Sequence, residues 1–197
     1  FLFISVSREK LVEFALYGEE IASGGRHADN VAPSVFGGIT LIRNLEPIEV
    51  INLPYPELYC VIIHPHLQVE TKGARGILSP TVALKKYVEQ SAQLAATVCA
   101  LYTKDIELLR RAMQDLIIEP QRAALVTGYY AVKQAALDAG AISATFSGSG
   151  PSLLAFCANQ AQAEVVAQAM LAAFQAHAIA ADHWISPINP HGAYLIA

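Results

Sequence analysis

The order of elements from residue 57 onward predicts an α+β fold, an antiparallel sheet covered by helices on one face. Three observations support this class. Residues 58–64 form a nearly continuous apolar run, typical of a buried central strand, and Pro65 ends it. Segments with apolar residues at helical spacing follow. Two further apolar runs then flank a turn of small residues, which is the pattern of a strand, a turn and a strand.

The first 56 residues contain fewer regular elements. Apolar residues recur at helical spacing from Leu11 to Ile21, so we expect a helix that begins after Ser7 and ends at Gly24-Gly25. Residues 35–43 favour a strand. Residues 44–56 hold three prolines, and we interpret them as a connector and a domain boundary.

The rest of the chain alternates between helical and strand patterns. We expect helices at about residues 81–102, 104–116, 123–139 and 162–177. We expect strands at residues 141–146, 152–157 and 191–197, beside the strand at 58–64. This order of strand, helices, strand-turn-strand, helix and strand is the basis of the fold prediction.

The composition argues against several classes of protein. Hydrophobic residues make up 54% of the 197 residues and charged residues 15%, the opposite of the balance that intrinsic disorder requires. The net charge of −4 argues against a nucleic-acid partner. The charge-free stretches 139–163 and 165–181 are interrupted by polar residues, so we expect no membrane span. We therefore expect a soluble protein whose surplus apolar surface marks an oligomer interface or a missing part of the molecule.

The three cysteines, Cys60, Cys99 and Cys157, are odd in number and far apart in the sequence. They lack the CxxC spacing and the neighbouring histidines of a zinc site, and they do not form the pattern of a disulfide framework. We interpret them as reduced and mostly buried thiols of a cytosolic protein.

The segment from Glu19 to Pro33 brings polar side chains together. Glu19 and Glu20 lie in the last turns of the predicted helix, where a carboxylate opposes the negative end of the helix dipole, which hints at a bound cation. His27, Asp29 and Asn30 follow within four positions. Two interpretations stay open: a helix end followed by an Asx turn, or a cluster that faces a small ligand, with Glu19 or Glu20 on Mg²⁺.

The turn at residues 147–152, with the sequence SGSGPS, is a second candidate. Glycines let backbone N–H groups approach a ligand and small hydroxyls add donors, so such a turn can hold an anion. A tight hairpin would have the same sequence.

Two arginines suit a carboxylate or a phosphate, because the planar guanidinium binds both oxygens. Arg75 lies in the loop 71–75, where a solvated side chain is the alternative. Arg122 follows Glu119-Pro120, and an ion pair with Glu119 is the alternative. His64, at the end of a predicted strand, is interpreted as structural.

Taken in order, these segments resemble the homoserine kinases of the GHMP kinase superfamily. The most specific parts are the HADNVAP block at residues 27–33 and the SGSGPS block at 147–152. The resemblance covers essentially the whole chain but only the back two-thirds of a family member, and the family's phosphate loop is not in this sequence. It implies the tail end of the N-terminal domain in residues 1–50, and a ferredoxin-like α+β sandwich, the C-terminal domain, in residues 51–197.

The resemblance also implies an activity, in which ATP, with Mg²⁺, phosphorylates the hydroxyl of L-homoserine on the route to threonine. We expect a cytoplasmic enzyme and, from the low charge and high apolar content, a homodimer. We expect the chain as given to be inactive alone, because the phosphate loop is not in it. Catalysis in such kinases is mainly positioning and charge neutralisation, so we expect no strong general base.

The residues that match the family's motifs receive roles only through this resemblance. Glu19 corresponds to the Mg²⁺ carboxylate. Residues beside the homoserine site are His27, Asp29 and Asn30, of which Asp29 and Asn30 are the expected catalytic positions. Polar positions around the amino-acid end of the substrate are Thr71, Arg75 and Arg122. The loop that lies against the phosphate loop and the substrate consists of Ser147, Gly148, Ser149 and Gly150.

Other functions stay open at this stage. Another GHMP kinase, acting on a sugar, mevalonate or a related alcohol, would share most of these features. A regulatory module that binds an amino acid without catalysis would need only the part from residue 57 onward. In a purely structural protein, every polar cluster described above would be solvated surface.

Overall fold

The computed structural model describes residues 6–67 and 76–194. The chain divides into two compact units, Phe1–Pro54 with Ile188–Ala197, and Tyr55–Pro187. The C-terminal segment thus belongs to the first unit, a grouping that sequence order does not reveal. The family domains expected at residues 1–50 and 51–197 stay a prediction.

The first unit consists of two helices and a hairpin. Helix α1 (Arg8–Ser23) begins where the Ser7 hydroxyl accepts the Lys10 N–H, and it ends at Gly24, whose φ is +74°. This confirms the predicted helix and both of its end signals. Helix α2 (Ala28–Phe36) follows, and its buried residues form a core with α1. The members of this core are Val12, Leu16, Ala28, Ala32 and Phe36.

One prediction for this unit is confirmed with a shifted start, and one is wrong. The strand expected within residues 35–43 is present as β1 (Ile39–Leu45), but residues 35 and 36 belong to α2, because the positive φ of Gly37 ends the helix there. The supposed connector contains the strand β2 (Ile48–Leu53), which pairs antiparallel with β1. Its prolines do not interrupt the strand, because Pro47 lies in the turn and Pro54 directly follows β2.

The second unit is built on a four-stranded antiparallel sheet with the order β4-β5-β3-β6. The strands are β3 (Tyr59–Pro65), β4 (Ser143–Phe146), β5 (Leu153–Cys157) and β6 (Ala181–Pro187). Alternate residues of β3 and β5 are buried, such as Val61, Ile63 and Leu153, because only one face of these strands enters the core. The strands predicted at 58–64, 141–146 and 152–157 are therefore present, with shifted ends.

Helices complete the second unit. They are α3 (Leu84–Thr103), α4 (Ile106–Ala112), the short α5 (Glu119–Arg122), a 3₁₀ turn (Ala123–Leu125), α6 (Tyr129–Asp138) and α7 (Gln160–Ala176). Residues of α6 and α7, among them Val132, Met170 and Phe174, form one core with the inward face of the sheet. The predicted α+β class is thereby confirmed. The described residues contain no helix that is long and apolar enough to span a membrane.

Two predictions for the second unit need correction. The last strand is β6, not residues 191–197: residues 191–194 are not in a strand, and 195–197 lie outside the described residues. The exposed polar residues of β6 hide it from pattern analysis, and only its pairing with β3 reveals it. The helix expected from residue 123 begins at Tyr129, because Gly128 adopts a φ of +80° there.

The cysteines differ in their surroundings, although all three are free. Burial raises the pKa of Cys60 and of Cys157 to about 11, so both are poor nucleophiles near neutral pH. Cys99, in contrast, is exposed on α3. The expectation of buried thiols therefore holds for Cys157, holds in part for the half-buried Cys60, and fails for Cys99.

Candidate active site

The SGSGPS turn joins β4 to β5 and is closed at its base by hydrogen bonds. The Ser147 N–H donates to the Ser152 carbonyl oxygen at 2.8 Å, and the Gly150 N–H donates to the Ser147 carbonyl oxygen at 3.1 Å. Gly148 and Gly150 have φ values of +60° and +82°, a region that side chains with a Cβ rarely adopt. The turn is thus a tight hairpin whose shape depends on its glycines.

The two glycines have different surroundings. A Cβ on Gly150 would lie 2.9 Å from the Phe146 ring, so this position is closed by packing. A Cβ on Gly148 would meet nothing within 4 Å. The tip of the turn therefore has an open face at Gly148, where another molecule can approach the backbone.

The turn is also held from the neighbouring strand β3. His64 Nδ1 and Ser152 Oγ lie 2.8 Å apart in a half-buried position. This contact agrees with the structural role expected for His64 and identifies Ser152 as its partner. It fixes the end of the turn that leads into β5.

Arg122, at the end of α5, reaches the same turn. Its Nη1 lies 3.4 Å from the Gly148 carbonyl oxygen, which it contacts as a donor, and its Nε is buried without a hydrogen-bond partner. The alternative of an Arg122–Glu119 ion pair is wrong, because Glu119 pairs with Lys133. Among the described residues no carboxylate neutralises Arg122, so its guanidinium is available to an anion beside Gly148.

Glu119 is the centre of a buried polar network that the sequence analysis did not find. The Lys133 ammonium donates to Oε1 at 2.5 Å, and the Thr145 hydroxyl donates to Oε2 at 3.0 Å. Burial and the nearby Glu119 carboxylate raise the pKa of Tyr129 far above its ordinary value. Because Glu119 opens α5 and Arg122 ends it, this network fixes the base of the helix that carries Arg122.

One sequence signal for this network was available. Lys133 follows Tyr129 by four residues and Val132 by one, so it lies near the buried face of α6. A lysine near an otherwise apolar helix face requires a partner. The residues around Glu119 in the sequence, however, do not indicate that Glu119 is the partner of this lysine.

In the first unit, the predicted polar residues cluster where α1 ends and α2 begins. His27 is the N-cap residue of α2, and its ring lies over Gly25, where a Cβ would come 2.7 Å from Nε2. Asp29 and Asn30 lie in the first turn of α2, and both side chains are exposed. The segment is thus the start of a helix, whereas the two interpretations of the sequence were an Asx turn and a polar cluster that faces a ligand.

Neither the Asp29 nor the Asn30 side chain makes a hydrogen bond within the described part of the chain. Only the main-chain carbonyl of Asn30 is used, as an acceptor from the Ser34 hydroxyl at 2.8 Å. The Asp29 carboxylate is favourably placed, because the start of a helix carries a partial positive charge. Both side chains are therefore free to meet a ligand.

The remaining predicted site residues are distributed as follows. Glu19 is half-buried in the last turns of α1. Thr71 and Arg75 lie outside the described residues. In residues 6–67 and 76–194, no group of three or more His, Cys, Asp or Glu side chains could hold a metal ion.

Comparison with known proteins agrees with this architecture. Residues 97–176, from the end of α3 to the end of α7, match the family model described as GHMP kinases C terminal. This part of the chain is therefore similar to the C-terminal domain of GHMP kinases. The matched residues include α5, with Arg122, and the whole SGSGPS turn.

Curated relatives extend the likeness to nearly all residues of this chain. It is 44% identical over 193 residues to a homoserine kinase of Chlorobium phaeobacteroides (strain BS1), and 42% identical over 192 residues to one of Chloroherpeton thalassium. Each match covers 96% of this chain and 60% of the relative. The chain therefore spans about 60% of the length of these curated relatives.

Solved structures show the same fold. The crystal structure of homoserine kinase from Cytophaga hutchinsonii is 44% identical, with a TM-score of 0.92, over 95% of this chain and 60% of that one. A mevalonate kinase from L. major, at 18% identity and a TM-score of 0.71, shares the fold alone. The expected GHMP-type architecture and the resemblance to homoserine kinases are both confirmed.

Proposed function

We propose that the whole protein is a homoserine kinase, which transfers the γ-phosphoryl group of ATP to the side-chain hydroxyl of L-homoserine. The product, O-phospho-L-homoserine, would serve threonine biosynthesis. The observation that carries this proposal is the 40–44% identity to homoserine kinases over almost all of this chain. The unneutralised Arg122 beside the SGSGPS turn supports it from the structure.

Arg122 is the proposed partner of the substrate carboxylate. Arg122 is half-buried, its Nε is buried without a hydrogen-bond partner, and none of the described residues supplies an anion to the guanidinium. A carboxylate fits the two parallel donors of a guanidinium and would lie next to the open face at Gly148. Thr71 and Arg75 remain proposed as further contacts of the amino-acid end of the substrate.

The SGSGPS turn is proposed to lie near the transferred phosphate. The exposed backbone at Gly148 and the hydroxyls of Ser147 and Ser149 supply donors for anionic oxygens. The hydrogen bonds at its base and the His64 contact keep the turn in one shape. Such fixed donors stabilise developing charge without reorganisation.

The cluster at the start of α2 is proposed to orient the acceptor hydroxyl. Asn30 can hold the hydroxyl by a hydrogen bond, with Asp29 and His27 beside it. Phosphoryl transfer depends mainly on positioning, so the proton can leave late and no strong base is needed. Asn30→Ala should therefore lower the rate more than a few-fold, and a wild-type rate would remove Asn30 from the site.

ATP and Mg²⁺ are the proposed cosubstrate and cofactor. The described residues do not form a metal cage, but Mg²⁺ in kinases is held by one or two carboxylates together with phosphates and water. The single carboxylate of Glu19 fits that mode. When bound, Mg²⁺ neutralises the charge of the transferred phosphoryl group.

The proposed setting is a cytoplasmic homodimer whose ligands are homoserine and ATP, without a nucleic-acid or membrane partner. The first experiment is ADP release by the protein from its complete reading frame, with L-homoserine, mevalonate, galactose or no acceptor. Turnover with homoserine alone is the expected result. Turnover with another acceptor would support the proposed kinase activity and contradict homoserine as the substrate. Amino-acid binding without ADP release would favour a binding module.

A further inference from the structure

Helix α5 is too short to hold its own position. It consists of the four residues Glu119–Arg122, and isolated helices shorter than about 12 residues are marginal in water. Its start is held by Asp115, whose carboxylate accepts the N–H groups of residues 117, 118 and 119. The place of Arg122, at the other end of the helix, therefore depends on the tertiary contacts that α5 makes.

Helix α5 meets the end of β4 and the following turn at two points. At the first, the Thr145 hydroxyl donates to Glu119 Oε2 at 3.0 Å. At the second, Arg122 Nη1 donates to the Gly148 carbonyl oxygen at 3.4 Å. The second contact lies three positions further along both segments, so the two segments run beside each other in register. The first contact thus lies one turn of helix before the second.

The first contact is the stronger of the two. Glu119 is 5% exposed, and its carboxylate is ion-paired with Lys133. Hydrogen bonds to a charged acceptor are stronger than those between neutral groups. The Arg122–Gly148 contact, in contrast, is long for an N–H donor and a carbonyl oxygen, and it is exposed. The position of Arg122 therefore follows from the Glu119–Thr145 hydrogen bond more than from its own contact.

Thr145 is itself held by the strand that carries it. It pairs with Leu154 of β5, so its main chain is fixed in the sheet. The next residue, Phe146, stacks on the buried Tyr129 ring with centroids 4.2 Å apart and planes 20° from parallel. Stacked aromatic rings and a strand ladder both resist displacement. The Thr145 hydroxyl is therefore a fixed point to which α5 is attached.

We propose that Thr145 is a positioning residue for Arg122. Its hydroxyl holds the Glu119 carboxylate, and this hydrogen bond sets the place at which the Arg122 guanidinium meets the carboxylate of the substrate. The inference rests on the proposed function, in which Arg122 binds that carboxylate. It assigns a role to a residue for which no contact with the substrate is proposed.

Steady-state ADP release by the protein from its complete reading frame tests this role. Thr145→Val removes the hydroxyl but keeps the branched side chain, and it should raise KM for homoserine about 3- to 10-fold, the effect of losing one hydrogen bond. KM for ATP should stay unchanged. Thr145→Ser keeps the hydroxyl and should restore the wild-type KM. Thr97→Val is the matched control, because it removes a hydroxyl that donates to the Gln93 carbonyl oxygen within α3.

Circular dichroism checks that the variants fold. Thr145→Cys provides a second substitution should Thr145→Val unfold, because a thiol is a weaker donor than a hydroxyl. Its KM for homoserine should lie between those of the wild type and Thr145→Val.

A double-mutant cycle separates positioning of Arg122 from a general loosening of the site. In an Arg122→Met background, Thr145→Val should change KM for homoserine no further, because the side chain that it positions is already gone. Effects that multiply would show that Thr145 acts independently of Arg122, and they would overturn the proposal.

Hydrogen exchange of the Arg122 side chain tests the proposal without any reaction. The Nε of Arg122 is buried, so its N–H is shielded from water. In protein with ¹⁵N-labelled arginine, this signal is identified by its absence from Arg122→Met. Without ligands, Thr145→Val should exchange this proton about 10-fold faster than the wild type, because the side chain leaves its buried place more often. Thr97→Val should exchange it at the wild-type rate.

Four further results would overturn the proposal. They are a wild-type KM for homoserine in Thr145→Val, an equal rise of KM for homoserine and for ATP, a Thr145→Ser enzyme as impaired as Thr145→Val, and an unchanged exchange rate of the Arg122 Nε proton. A wild-type protein that releases no ADP with homoserine would contradict the proposed function instead. The exchange rate would then still decide whether Thr145 positions Arg122.

Discussion

At the scale of single residues, the second unit separates two cations that look equivalent in sequence. Lys133 is neutralised by the buried Glu119, whereas Arg122 contacts only a carbonyl oxygen among the described residues. The first arrangement stabilises the fold, because a buried carboxylate needs its cation. The second leaves a donor group for a ligand. The stabilising role of Lys133 and the ligand-binding role proposed for Arg122 can therefore be tested by different measurements.

We predict that Arg122→Met raises KM for homoserine about 10- to 100-fold, the effect of losing one charged hydrogen-bonded contact. Arg111→Met removes the same charge from an exposed position of α4 and should leave KM unchanged. Steady-state ADP release over a range of homoserine concentrations measures both. An Arg122→Met enzyme with wild-type KM would show that the carboxylate binds elsewhere.

We predict that Lys133→Met lowers the free energy of unfolding by about 3 kcal/mol, because it leaves the Glu119 carboxylate buried and unpaired. The comparison is Lys10→Met, which breaks an exposed Lys10–Glu13 pair of 2.9 Å and should cost under about 1 kcal/mol. Urea unfolding followed by circular dichroism separates the two. Equal losses would mean that the Glu119 network is not a stabilising element.

At the scale of elements, the SGSGPS turn shows why one sequence supports two interpretations. It is the tight connection of an antiparallel strand pair and, at Gly148, an open backbone surface. The glycines serve the first purpose by their positive φ and the second by the absence of a side chain. His64 and Arg122 reach it from β3 and α5, so two segments that are distant in sequence hold the turn.

We predict that the two glycine substitutions in this turn differ. Gly150→Ala should lower the unfolding free energy by about 2–4 kcal/mol, because it combines a positive φ with a contact of 2.9 Å to the Phe146 ring. Gly148→Ala carries only the conformational cost, about 1–2 kcal/mol, but its methyl group fills the open face. Thermal unfolding measures the loss of stability in each variant. The KM values for homoserine and ATP measure whether the methyl group at position 148 obstructs the ligands. A Gly148→Ala enzyme with unchanged KM values would place the ligands away from the turn.

At the scale of the whole molecule, the end of the chain returns to the first unit. The Ala193 N–H donates to the Ser34 carbonyl oxygen, and the Gly38 N–H donates to the Asn189 carbonyl oxygen, both at 2.8 Å. The approach is so close that a Cβ on Gly192 would overlap the Val35 carbonyl oxygen. The ends of the described chain are thus part of one unit.

We predict that Gly192→Ala lowers the unfolding free energy by about 1–3 kcal/mol, because the Val35 main chain must move. Gly18→Ala is the opposite case, since Gly18 lies within α1 and a Cβ there meets nothing within 4 Å. It should stabilise the protein by about 0.5–1 kcal/mol through helix propensity. A Gly192→Ala variant as stable as the wild type would argue against the close packing of the C-terminal segment.

Local signals were sufficient for much of the fold. The Ser7 cap and the Gly24 end define α1, and the apolar runs define β3, β4 and β5, because these features depend on residues that are neighbours in the chain. The strand β2 and the helix α2 were missed, because prolines and short polar runs mark turns and element ends equally well. The order of motifs was sufficient for the resemblance to homoserine kinases, which the comparisons confirm.

The sequence by itself determined the α+β class, the family resemblance and the candidate residues, since all of these follow from composition, periodicity and motif order. Tertiary structure alone decided the partners: Glu119 with Lys133 and Thr145, Arg122 with Gly148, and the last strand β6 with β3. Such contacts join residues separated by 14 to more than 100 positions. Their energy depends on burial and distance, which no local pattern encodes.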